Sequence, residues 1–574
     1  MKKIHLLLSI VLMSLPCGCR NAGASPLDYD SLIHGFDAAS PVEDLSLAMP
    51  DNAAPPRYSF MGRLELVDEA TGGSSKVLRG GDRLPNEANH LPEFDFKFVQ
   101  SGSHLIPARR GMIITTHPFW NILLEPGRVW QEKKDHGLSR ASFPFTLIVK
   151  GGTSSFNGTM TFLFDDSHVS RVWYQVTQET ASSLNMDLWG LLEAVYHPGP
   201  VEGAEAIRHD FEQELANRFP VKPIEQLAKD YPGVDIKAFS SHVTTDHMTT
   251  YGVVVNGVDY RGDCPTRYGE YAYCDWTRMA SFSTAKTAFV SLAMLRLGQK
   301  YDPRIADRLV RDYVPEAASS PGDWSEVTFD NILDMATGNY VSSGFMVDEE
   351  GRIFDEFFAL DDYASMIRVA FDWPHSSPPG TCWVYRSSDT FIAVQALQNY
   401  LQAREGTEAD LFDFTIREIY QPLKLGPGFF STLRTSENNW QGQPFGATGI
   451  WWIPDDIAKL TTFLNVQRGK ADGEQLLLPD LLLKALQADP ADRGVDRPGG
   501  KYNDSFWADI FTPADGYDCT FYVPYMAGYS GNIIALLPNG VSYYYFSDNR
   551  EFNWHAAVRE ADKIAPLCPT SGEQ

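Results

Sequence analysis

The chain has 574 residues, too many for one ordinary domain, so two or more are expected. With 43% hydrophobic and 13% aromatic residues it can build substantial cores, which excludes long disorder and a fibrous class. A formal charge of −26, from 48 Lys+Arg against 74 Asp+Glu, argues against a nucleic-acid partner, which needs basic patches to neutralise phosphate.

Lys2 and Lys3 precede an apolar run from Leu6 to Leu15, too short to span a bilayer. Residues 1–18 read as a secretory signal peptide. Export to a bacterial periplasm or a lipid-anchored place in the cell envelope is the expectation. Its end, Leu15-Pro16-Cys17-Gly18-Cys19, resembles a bacterial lipoprotein box with Cys19 as the lipidated residue and membrane anchor. Pro16 and Cys17 depart from that pattern, and an ordinary cleaved signal is the alternative. Residues 19–56 are rich in Asp, Ala, Ser and Pro and are expected to form a linker or tether.

Residues 57–200 carry alternating, aromatic-rich runs such as Phe94–Val99, Phe143–Val149 and Thr159–Phe164. This pattern predicts an all-β accessory domain, a sandwich or a barrel. His197-Pro198-Gly199-Pro200 breaks it, and an amphipathic helix is expected over Glu202–Asn217. Residues 201–574 form the second domain. Tyr251–Tyr260, with Asn256-Gly257 at its centre, predicts a hairpin, and Asn532–Phe546 around Pro538-Asn539-Gly540 predicts another. Helical patterns lie between them. One sheet assembled from both ends, with helices packed on it, accounts for this order. Of the 7 cysteines, Cys17 and Cys19 lie in the signal region; of the other five, Cys264 and Cys274 are the best pair, Cys519 with Cys568 is a weaker second, and Cys382 is then left single.

Ser283 and Lys286 are three apart at the start of a helix whose apolar positions include Ala285, Ala288, Phe289, Leu292 and Leu295, with Gly298 as its stop. Such a pair can make a nucleophile and its base if burial lowers the lysine pKa. The alternative is that Ser281 or Ser283 caps the helix and Lys286 is solvated. His242 and His247 lack metal-ligand spacing and read as surface or structural histidines. Asp348-Glu349-Glu350-Gly351 fails the EF-hand pattern and reads as a solvated turn. Asp165–His168 reads as a turn, and the sequon at Asn157 as incidental.

With Val327–Gly338, Pro379–Thr390, Gly446–Trp451, Asp455–Leu460 and Gly528–Asn532, the Ser283 segment resembles the serine β-lactamase and penicillin-binding-protein superfamily. It is nearest the class C-like hydrolases and esterases of the 6-aminohexanoate-dimer hydrolase type. The resemblance spans about residues 223–567. The order fits, with 102 positions between Ser283 and Tyr385 and 144 between Tyr385 and Tyr529. It implies an α+β catalytic domain, an antiparallel sheet flanked by helices. It implies Ser283 as acyl-forming nucleophile, and Lys286 with Tyr385, as phenolate or through a shared hydrogen bond, as the general-base system. Ser387 would orient Lys286 or substrate, and Tyr529, Ser530, Gly531 and Asn532 would bind substrate. The N–H groups of Ser283 and Asn532 would form an oxyanion hole. No metal or organic cofactor is implied. A small ester, amide or peptide is the expected substrate; Tyr529 stands where typical members carry Lys, which speaks against β-lactam and D-alanyl-peptide chemistry and for an ester or amide, with Arg386 or another basic side chain as a substitute cation. The alternative function is a catalytically degenerate cell-envelope binding protein, and a third reading gives the β domain a recruiting role.

Overall fold

The computed structural model describes residues 27–568, apart from 37–38, 68–72, 82–83, 153 and 437–441. The expected signal, Cys17 and Cys19 lie outside the described residues. Among those described, no helix is long and apolar enough to cross a membrane.

The aromatic-rich strands of the first half form one antiparallel sheet. Its sequence of neighbours is Met61–Val67, Asp95–Ser101, His104–Pro107, Gly127–Trp130, Ser139–Val149, Ser155–Phe164, Val172–Thr180 and Asn185–Pro198. The last of these also pairs with the first, Leu64 lying opposite Tyr196, so the sheet closes into an eight-stranded barrel. Strands Ser74–Arg79 and Trp120–Leu124 attach to its outside edges. Closure leaves few strand edges for stray pairing. Alternate residues point inward, and large rings fill the interior: Phe60 stacks on Tyr196 at 4.3 Å and Phe98 packs on Phe143 at 5.0 Å.

The stretch before the barrel is no loose tether where it is described. Leu27, Leu32, Val42 and Leu47 are buried with Trp173 and Trp189 of the barrel wall. Asp44 is fully buried and accepts hydrogen bonds from Gln175, Thr177 and Thr266. Widely spaced apolar residues in a polar run have too little periodicity to announce this packing.

After helix Ala204–Ala216 comes a nine-stranded sheet. Its order is Val221–Pro223, Val258–Arg261, Met248–Val255, Ser542–Ser547, Asn532–Leu536, Phe521–Gly528, Phe506–Phe511, Gly500–Asn503 and Val495–Arg497. Only the first pair is parallel. Strands from both ends of the domain meet at its centre, Val253 opposite Tyr543. The Asn256-Gly257 turn has φ of 50° and 76°, the positive pair that a two-residue hairpin requires. One face packs on the central helices, among them Leu292–Lys300 and Ser387–Glu405, and the other on Ile224–Asp230 and His555–Ile564. The unit is α+β, a predominantly antiparallel sheet between helical layers, as expected. Cys264–Cys274 and Cys519–Cys568 are bonded and Cys382 is free.

The two units are bolted together through buried polar groups. Arg278 is fully buried, pairs with Glu125 of the barrel and donates to the Trp451 carbonyl. Its own carbonyl accepts from Ser155 and Asn157, so the sequon asparagine is an interface residue. Arg267 reaches back to Glu179 and Asp187. His242 packs edge-on to Tyr545 at 4.5 Å, and His247 pairs with Asp548, both structural roles. Asp165 accepts from the Ser167 and His168 amides in a turn.

Candidate active site

Met279–Ala280 pairs with Trp451–Trp452, and Ser281 continues the contact to Ile450 through its amide and hydroxyl. Phe282 then takes a φ of 44°, a left-handed kink that turns the chain into a helix. Ser283 sits on that first turn, half-buried, on the wall of a cavity of about 460 Å³. The following turn, Lys286–Ser291, is widened to i→i+5 spacing before regular helix resumes at Leu292. Wide turns of this kind are frequent at functional sites. The predicted apolar positions are all buried, but Gly298 does not stop the helix, which runs to Lys300. A Cβ at Gly298 would lie 3.0 Å from Ile305, so close packing explains this glycine.

Lys286 is buried, which excludes the solvated reading. Its Nζ donates to Ser283 Oγ at 2.9 Å, Ser387 Oγ at 2.9 Å and the Ala447 carbonyl at 3.3 Å. Three acceptors match the three protons of an ammonium. Burial pushes its pKa down to about 8, against the opposing pull of the Glu349 carboxylate. Ala447 is brought into reach by Gly446, whose φ is 73° and whose Cβ would collide with Val394 and Val290. That close approach accounts for the glycine in the Gly446–Gly449 block.

Tyr385 lies in an aromatic cluster with Trp383, Tyr502 and Trp507, and its ring centre is 4.9 Å from Lys286 Nζ. Burial and then the Glu349 charge push its phenol well above the ordinary range, opposed by a hydrogen bond with Ser283. The resting group is therefore a phenol, and the phenolate form gives way to the shared hydrogen bond.

Ser387 opens the helix Ser387–Glu405 and does not line the cavity. It accepts from Lys286 and donates its hydroxyl to Glu349 Oε1 at 2.5 Å and its amide to Oε2 at 2.7 Å. Glu349 escaped the sequence reading, because Asp348–Gly351 reads as a solvated turn. In fact Asp348 and Glu349 are buried. Asp348 accepts from the amides of Val341 and Ser342, and Glu349 begins a widened helix, Glu349–Phe357. A charge run shows no spacing that would separate a buried carboxylate from its exposed neighbour.

The Gly528–Asn532 set divides. It forms the tip of a hairpin, with Gly531 at φ 97° and its missing Cβ replaced by Ser547 Oγ. Tyr529 lines the cavity beneath the guanidinium of Arg550, 4.0 Å from its ring centre. Ser530, Gly531 and Asn532 lie behind it. The Ser530 hydroxyl donates to the Ser547 carbonyl, and Asn532 Nδ2 to the Ala280 carbonyl at 3.0 Å. They fix the turn against the segment that leads to Ser283 rather than line the cavity. Arg386 is buried against Asp389 and is no substitute cation; Arg550 is the one beside Tyr529.

The Ala527 amide faces the cavity by strand alternation. The Gly531 amide donates to the Gly528 carbonyl, turning Gly528 toward the Asn532 strand. Ala527 then points the other way, past Trp507–Tyr525, the last pair on that side. The strand here runs close to the Ser281–Ser283 segment, since a Cβ on Gly528 would lie 2.8 Å from the Ser281 carbonyl.

No family model and no curated protein matches the chain. Solved structures similar to it include a putative 6-aminohexanoate-dimer hydrolase from Bacillus anthracis, 16% identical, TM-score 0.41, covering 60% of this chain and 81% of that one. A family VIII carboxylesterase is 15% identical, TM-score 0.41, with 61% and 99% covered. A penicillin binding protein from Bacillus halodurans is 13% identical, TM-score 0.38, with 60% and 99% covered.

Proposed function

We propose that the protein is a serine hydrolase that cleaves an ester or amide through an acyl-enzyme on Ser283. One observation carries the reading: a buried amine with a lowered pKa stands 2.9 Å from the hydroxyl at a helix start. The fraction of Lys286 that is neutral takes the Ser283 proton as Oγ attacks the carbonyl carbon. Charge developing on the carbonyl oxygen is met by the amides of Ser283 and Ala527, the latter in place of Asn532. Tyr385, held as a phenol, passes its proton to the leaving oxygen or nitrogen and takes back from the Lys286 ammonium the proton that Ser283 gave up on attack. Water then attacks the acyl carbon, with the same groups acting in reverse. Ser387 and Glu349 hold Lys286 in place as positioning residues.

The degenerate-binder alternative is weaker, because a mere binding protein has no use for a buried amine that costs stability. Export, with Cys19 lipidated, is proposed from the Lys2–Cys19 pattern; the mass of the mature N-terminal peptide tests it. The enzymatic reading is tested by labelling wild type and Ser283→Ala with a fluorophosphonate and a penicillin probe. A Ser283 adduct with the fluorophosphonate alone, absent in the variant, is expected. Equal labelling of both proteins overturns it.

A further inference from the structure

The barrel contributes to the cavity wall. Ser182, in the loop joining Val172–Thr180 to Asn185–Pro198, lines the same cavity as Ser283. This loop is tied to the Asp548–Asn549 segment of the second unit. Arg79 Nη2 donates to the carbonyls of both Ala181 and Asp548, and its Nη1 reaches Asn549. Asn185 joins Glu179 to Asp548 through one amide group. Two residues beyond Asp548, Arg550 lies over Tyr529 and pairs with Glu350 at 2.9 Å. The wall from Asp548 to Phe552 is thus clamped by the barrel.

Most of the rest of the lining is apolar, with Phe354, Phe358, Trp507, Ile533 and Trp554 prominent, and its charged side chains are Glu349, Glu350, Arg497, Asp509 and Arg550. Its cations are already neutralised: Arg550 by Glu350, and Arg497 by Asp509. A charged substrate group would have to break one of these pairs, whereas an uncharged apolar one gains burial, worth about 25 cal/mol per Å². A cavity of about 460 Å³ holds an aryl-alkyl group with room to spare.

We propose that this cavity takes an uncharged, bulky, aromatic or branched acyl group, and that the barrel loop around Ser182, clipped by Arg79, sets the size limit. This rests on the acyl-enzyme reading above, which it deepens. The β domain is then a specificity element of the active site rather than a recruiting module.

The test measures kcat/KM for p-nitrophenyl acetate, 4-phenylbutyrate and monosuccinate. Wild type is expected to favour phenylbutyrate over both others by at least tenfold. Ser182→Trp should cut the phenylbutyrate-to-acetate ratio at least tenfold. Arg79→Ala should lower the same ratio, mainly through KM, an effect that general loss of stability would not produce. Thermal unfolding establishes that each variant is folded, and Ser182→Leu serves if the Trp variant is not. A preference for monosuccinate, or a ratio unmoved in folded variants, overturns the proposal. If wild type turns over no ester and takes no fluorophosphonate label, the Ser283 reading fails by itself. The cavity is then probed by calorimetric binding of the neutral ketone 4-phenyl-2-butanone. At least tenfold weaker binding to Ser182→Trp supports the proposal; equal binding, or none to wild type, overturns it.

Discussion

Glu349 grips Ser387 twice, taking the hydroxyl at 2.5 Å and the backbone amide at 2.7 Å. Ser387 in turn accepts from Lys286, so a buried carboxylate reaches the amine beside Ser283 through one hydroxyl. Its charge raises the amine pKa while burial lowers it. Replacing it with a neutral isostere should therefore shift Lys286 further down. In Glu349→Gln, the acid limb of the kcat/KM profile should move to lower pH, with kcat reduced about tenfold by loss of positioning. A limb that stays at the wild-type pH would sink this relay.

In the wild type the neutral amine is the active form, so kcat/KM should rise with pH through about 8, the folded pKa of Lys286. Stability carries the matching signature. The lysine's folded pKa is below its free value of 10.5, so between about pH 8 and 10.5 the unfolded chain binds more protons. Stability should rise across that window by up to about 3 kcal/mol from this group, and the burial cost is constant below it. Urea titrations of wild type and Lys286→Met at pH 7 and pH 10 isolate the term. Identical pH slopes in the two proteins would contradict it.

Glu125→Ala should destabilise the whole protein by about 3–5 kcal/mol, because it strands the buried Arg278 guanidinium without its main partner. Glu125→Leu combined with Arg278→Met should recover much of that loss. The readout is denaturant unfolding followed by two probes, one in each unit. Independent transitions for barrel and catalytic unit would refute the coupling.

Cys519–Cys568 ties the residues after helix His555–Ile564 to the start of strand Phe521–Gly528 across 49 positions. Cys568→Ala should cost about 2–4 kcal/mol through the freed unfolded chain, with little change in kcat. An unaltered unfolding midpoint would show that the bond does not form.

Gly531→Ala should cost more than an ordinary surface change. The position has φ 97°, and the new methyl would sit 2.5 Å from Ser547 Oγ. Because Asn532 holds the Ala280 carbonyl, the shift should also reach the nucleophile segment and lower kcat about tenfold. A stable variant with wild-type kcat would show that the turn and the nucleophile are uncoupled.

Where a residue pattern repeats, the sequence was readable. Alternation disclosed the strands, the Asn256-Gly257 pair disclosed its hairpin, and helical spacing put Ser283 beside Lys286. Ordered motifs led to Tyr385 and Ser387. What escaped depends on long-range assembly. Nothing in Asp348–Gly351 distinguishes the buried Glu349 from its exposed neighbour Glu350. Matching Tyr529–Asn532 to a motif located the hairpin but not which side chains face the cavity, since turn geometry decides that. The single Ser182 on the cavity wall carries no local signal, because a loop from one domain completes a surface of another.

Composition invites trimming the chain at residue 57, where the first barrel strand is about to begin. The burial of Leu27, Leu32, Val42 and Leu47 against Trp173 and Trp189 argues for keeping everything from Leu27 onward. A shorter form would bare a greasy indole-lined stripe and remove Asp44 from Thr266, which belongs to the other unit. Such a fragment should clump on purification for reasons unconnected with catalysis.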